Sequence, residues 1–142
     1  MIYRDPSQQL LKAYVSLLND SITYGGEVIT AGTRVPRKKT KYIQVYIEAN
    51  DNYSTGDKVI YNITMAFMIV VLQSPSEGDE TPANSILDQV LSICGNPDSV
   101  IMKDFKCLTA IFDGSEYDTE LTDTQYTITR KLRMSHFIEQ NQ

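Results

Sequence analysis

Tryptophan is absent from this 142-residue chain, and histidine and cysteine are nearly so, with one His and two Cys. The single histidine, His136, is the only residue on which a Ser-His-Asp or Cys-His site can be built. Strand alternation sets it on the same face as Leu132 and Met134, so it reads as a sheet residue rather than a catalytic one. Cys94 and Cys107 form no CxxC pair, and with one His they cannot supply the four nitrogen and sulfur ligands of a zinc site. They read as reduced structural thiols. There is no P-loop and no GxGxxG, so phosphate-cradling motifs are missing. No run reaches the roughly eighteen apolar residues of a membrane helix. Met1 to Pro6 carries no apolar signal region, so the chain is expected to stay in the cytoplasm where it is made. No catalytic residue, metal or cofactor is expected.

Basic charge is also short. Thirteen Lys and Arg face eighteen Asp and Glu, a formal charge of −5, which argues against a general nucleic-acid coat. What is present is a globular composition, 42% hydrophobic and 22% charged, in one domain's length. A single domain over 1–142 is expected, with its own core.

Asp5-Pro6 reads as a helix start, and Leu10, Tyr14, Leu17 and Leu18 follow at helical spacing, predicting a helix from about Pro6 to Asn19 that packs on a sheet. Residues 20–41 are polar and glycine-containing, and read as a flexible arm that ends in a basic run. Tyr42 to Glu48 alternates as a strand, with Ile43, Val45 and Ile47 on one side and Tyr42, Gln44 and Tyr46 on the other. Asn50 to Asp57 is a turn cluster. A long strand from about Lys58 to Gln73 follows, wet on one face at first and covered on both later. Thr81-Pro82 starts a second helix, lined by Ile86, Leu87, Val90, Leu91, Ile93 and Cys94 and ended by Gly95. Short strands at Val100 to Met102 and Leu108 to Phe112 lead to an acidic loop, Asp113 to Asp123. A last strand runs from about Gln125 to Phe137, and Glu139 to Gln142 reads as a polar tail. The order predicts an α+β fold: a mainly antiparallel sheet with a long β-hairpin and two helices packed on one face.

Three surfaces are candidates for function. The basic arm carries Arg34, Arg37, Lys38, Lys39 and Lys41, and reads as a solvated loop, a phosphate contact or one half of a subunit contact. The acidic loop carries Asp113, Glu116, Asp118, Glu120 and Asp123, and reads as a solvated loop or as the other half. A chain with two opposite patches can pair head to tail, and such a contact closes into a ring when the rotation allows. The third surface is the wet strand face and hairpin tip, with Tyr42, Tyr46, Asn52 and Tyr53. Its tyrosines either pair across strands or anchor a subunit interface.

The arrangement resembles the small tail-terminator, tail-completion and head-to-tail connector proteins of tailed bacteriophages. The features that carry it are the opening helix with Leu10, Leu11, Tyr14, Leu17 and Leu18, the loop of some twenty residues before Tyr42-Ile43-Gln44-Val45, the long strand Val59 to Leu72 running into helix Thr81 to Cys94, and the final strand Gln125 to Phe137. The resemblance implies a non-enzymatic ring subunit of a virion neck or tail, of six- or twelve-fold symmetry. Its partners would be other copies of itself, adjacent neck, portal-side or tail-tube proteins, and DNA that crosses the lumen without sequence-specific contact. It makes Arg34 to Lys41 and the Asn50 to Gly56 tip the contacts to adjacent rings. The alternatives are an intracellular adaptor using an exposed strand edge, a small-molecule-binding α+β domain, and a carboxylate-based enzyme.

Overall fold

The structure is a computed structural model that describes residues 2–141. Its first helix, α1 (Ser7–Leu18), starts at an Asp-Pro-Ser sequence. Asp5 Oδ1 accepts from the Ser7 backbone N–H at 2.9 Å and from the Ser7 hydroxyl at 2.6 Å. Leu10, Tyr14 and Leu18 are its buried stripe. The second helix, α2 (Thr81–Cys94), begins by the same device. Asp79 Oδ1 accepts from the Thr81 N–H at 3.1 Å and the Thr81 hydroxyl at 2.9 Å, which holds the Asp79 carboxyl below its usual pKa. The helix starts at Thr81 as the sequence indicates, but the capping acceptor is Asp79, two residues earlier, and Thr81 is the donor.

Eight strands complete the fold: β1 (Thr23–Tyr24), β2 (Glu27–Val28), β3 (Thr30–Gly32), β4 (Lys41–Asn52), β5 (Ile60–Gln73), β6 (Ile101–Met102), β7 (Phe105–Leu121) and β8 (Tyr126–Gln140). β1 and β2 form a small hairpin, and the other six form one sheet in the order β3-β4-β5-β8-β7-β6. Neighbours in that sheet are antiparallel except β3 and β4. The fold is α+β, as expected. The odd positions of β5 from Tyr61 to Val71 and the even positions Ile128, Leu132, Met134, His136 and Ile138 of β8 face the helices and are buried. The sheet's other face carries no helix or second layer among the described residues.

Three segments differ from the sequence-based expectation. The stretch from 20 to 32 is folded rather than a free arm. Ile22 and Ile29 are fully buried, and Gly25 and Gly26, at φ 58° and 80°, supply the left-handed turn of the β1-β2 hairpin. Gln89 of α2 clamps it by accepting from the Thr23 N–H at 3.1 Å and donating to the Thr23 carbonyl at 2.9 Å. Between β3 and β4, residues 33–40 remain outside a strand.

The acidic segment is not a loop. Asp113 to Leu121 is the outer half of β7, paired with β8 up to Leu121 and Tyr126. A bulge between Phe112 and Ser115, with Gly114 at φ 108°, keeps the strand continuous.

The C-terminal tail also shortens, because β8 reaches Gln140. Gln140 accepts from the Arg4 N–H at 2.9 Å and donates to the Ile2 carbonyl at 2.8 Å, tying the start of the chain to the sheet. The rest of that tail includes Gln142, which lies outside the described residues.

Candidate assembly interface

His136, Cys94 and Cys107 sit in the core. His136 is fully buried; its Nδ1 lies 3.1 Å from the Ile63 carbonyl, and its Nε2 is hydrogen-bonded to the Tyr14 hydroxyl. The carbonyl can only accept, so Nδ1 carries the proton and Nε2 accepts from Tyr14. Burial lowers the His136 pKa and raises that of Tyr14. Cys94 and Cys107 are free and buried, and burial pushes their thiols up to about 12 and about 11. Among the described residues, no three His, Cys, Asp or Glu side chains group as a metal site.

Neutral His136 gives the fold a signature on acidification. Its folded pKa is below the ordinary 6.5, so between the two values the unfolded chain binds the proton first. Stability is therefore complete above about pH 6.5 and falls below it, by at most about 1.4 kcal/mol per pH unit from this group. Glu48, whose pKa is lowered from 4.5, contributes a separate loss only below that value. Thermal melts taken between about pH 8 and about pH 5 read this directly. An unchanged midpoint down to about pH 5 would contradict the assignment.

The uncovered face of the sheet is crossed by a row of charges. Glu48 on β4 reaches Lys131 at 2.6 Å and Arg133 at 2.7 Å, both on β8, and Arg133 reaches Glu116 on β7 at 2.8 Å. These long side chains meet above β5 because the intervening residue is Ala66, in register with both Tyr46 and Arg133 and itself fully covered. The two cationic hydrogen bonds lower the pKa of Glu48, and Glu48 in turn raises that of Lys131. Tyr46 joins the row, with the Lys131 ammonium 5.5 Å from its ring centroid. Asp113 is hydrogen-bonded to Ser135. Tyr46, Asp113 and Glu116 thus have partners within their own chain. Tyr42 lies half-buried on the same face.

The two sides of the sheet differ in charge. On one side, β6 pairs with β7 only at Phe105 and Lys106. From Cys107 to Leu121 no strand among the described residues covers the outer edge of β7. Exposed along it are Leu108, Ile111, Phe112, Tyr117 and Leu121, together with the predicted Asp113, Glu116, Asp118 and Glu120. Asp123 follows in the turn to β8. Tyr117 also donates a hydrogen bond to Glu80, which raises its pKa. On the opposite side, residues 33–40 return from β3 to β4 and carry Arg34, Arg37, Lys38 and Lys39. Those four, and Asp118, Glu120 and Asp123, make no ion pair among the described residues. Lys41 pairs with Glu27 at 3.6 Å. The basic and acidic residues are therefore not brought together within one chain.

The hairpin tip is a third region. Asn52 Oδ1 accepts from the Ser54 N–H at 2.8 Å and shapes the turn, while the exposed Tyr53 stands edge-on to Phe137 at 5.8 Å between ring centroids. Glu48, Lys131, Arg133 and the spacer Ala66 are residues of the uncovered face that sequence reading did not single out. Their alternation was visible, but the register that brings them together spans three strands.

No protein-family model matches this chain, and neither does any curated protein. Solved structures do. One is a chain of the virion of a native gene transfer agent particle, matched over 94% of this chain and 91% of that one, with a TM-score of 0.53 and 15% identity. At that identity the likeness is one of fold.

Proposed function

We propose that this chain is a structural subunit of a phage-like virion, forming a homo-oligomeric ring at a head-tail junction or tail end. In this reading it works as a tail terminator, tail-completion or connector protein and joins neighbouring rings around a DNA conduit. It acts without enzymatic activity and without a cofactor. The observation that carries the reading is the fold likeness to a virion chain over nearly the whole length of both. The open sheet face, the unpaired β7 edge and the oppositely charged sides support it, since a ring subunit needs two different surfaces that fit each other. The tip with Asn52 and Tyr53 is assigned to the contact with an adjacent ring. The acidic balance of the chain suits a conduit that DNA must leave freely.

The copy number in purified particles tests the proposal. Quantitative mass spectrometry of particles made by the encoding genome is expected to find one ring's worth of this chain, six or twelve copies on the symmetry of the resembled family. Complete absence, or an abundance matching the major head protein, would overturn it.

A further inference from the structure

We propose that the acidic outer edge of β7 is the docking site for the basic segment Arg34–Lys39 of a second copy of this chain, with the two sheets side by side at the same level. This deepens the ring reading and rests on it.

Lys41, the first residue of β4, is opposite Val71 on β5; Val71 is opposite Ile128 on β8; and Ile128 is opposite Thr119 on β7. One row across the sheet therefore ends at Lys41 on one side and at Thr119 on the other, three strand spacings or about 14 Å apart. The basic segment runs directly into Lys41, and Asp118 and Glu120 flank Thr119. Opposite charges thus stand at opposite sides of the sheet without displacement along the strands. A contact between unlike patches, repeated by rotation, closes when it carries no axial shift and climbs into a filament when it does. The level match is the arrangement a closed ring needs.

Charge and backbone both favour the basic segment as the occupant. An uncovered strand edge offers free N–H and C=O groups to another chain. Pairing β7 with β7 of another copy sets its acidic row against an identical one, which is destabilising for charges directly opposite. A basic partner relieves this, and Arg34, Arg37, Lys38 and Lys39 are exposed and make no ion pair among the described residues. Of the acidic row, Glu116 is held by Arg133 and Asp113 by Ser135, so Asp118 and Glu120, with Asp123 in the turn, receive the segment. Leu121, 65% exposed between Glu120 and the turn, gives the contact an apolar centre for Val35, 57% exposed on the other side.

Two reversed variants test this, with folding checked by circular dichroism. One carries Arg37→Glu, Lys38→Glu and Lys39→Glu; the other carries Asp118→Lys and Glu120→Lys. Self-association is measured by sedimentation at low salt. Each variant alone is expected to need about tenfold more protein than the wild type to associate, or not to associate at all. Mixed one to one they are expected to associate again, because the acid edge of the first meets the basic segment of the second and the reversed patches also match. Wild-type association should weaken with salt. Variants that assemble as the wild type does would remove this contact while leaving the ring reading standing. A wild-type chain that stays monomeric at high concentration, or reversed variants that fail to recover on mixing, would also overturn the contact. Failure of the ring reading itself shows elsewhere, in the copy number in particles.

Discussion

Tyr14→Ala is expected to destabilise the fold by about 3–5 kcal/mol, the range for removing a fully buried aromatic side chain. Tyr14 is buried completely, edge-on to Phe67 at 5.1 Å and to His136 at 5.2 Å between ring centroids. It joins α1 to the centre of the sheet through both packing and its hydroxyl. Tyr14→Phe separates the two, because the ring stays and the donor goes. It leaves His136 Nε2 without its partner and is expected to cost about 1–3 kcal/mol. Urea unfolding of the two variants measures both. A Phe variant as stable as the wild type would mean that the Tyr14–His136 hydrogen bond does not hold the fold.

Phe67→Ala is the second large effect, again about 3–5 kcal/mol, since Phe67 is fully buried at the middle of the central strand β5. Its value lies in the contrast with β7. Leu121→Ala removes an equally apolar residue from the same sheet, but one that is 65% exposed, and is expected to change stability by less than about 0.5 kcal/mol. The same pair should reverse order in association, where Leu121→Ala weakens assembly. Denaturant midpoints beside sedimentation at matched concentrations distinguish the two roles. A Leu121→Ala variant that unfolds as easily as Phe67→Ala would mean that the outer half of β7 belongs to the core rather than to an interface.

Much of this fold was legible because its driving signals are local and periodic. The helical spacing of Leu10, Tyr14 and Leu18 and the alternation of Tyr61 to Val71 each report which face is buried. The Asp-capped start of the first helix belongs to the same class of signal, whereas at the second the sequence pointed to Thr81 and the acceptor is Asp79. What escaped was set by distant partners. Ile22 and Ile29 stand in a polar stretch without period, and they are core residues only because the β1-β2 hairpin is pinned by Gln89 from α2. The outer half of β7 did alternate, Glu116, Asp118 and Glu120 against Tyr117, Thr119 and Leu121, but an edge strand needs few apolar residues, so it read as a loop. The candidate site was legible as two charge clusters. That they lie at the same level on opposite sides of one sheet is a property of register, which three antiparallel pairings decide together.

The central claim is that this chain is a ring subunit of a virion neck or tail. The measurement that tests it most directly is immunogold labelling of purified particles, using antibodies raised against this chain and read by electron microscopy. The account predicts label at a single place on each particle, at the head-tail junction or the tail end. Label spread over the head or along the tail, or particles with none, would contradict it.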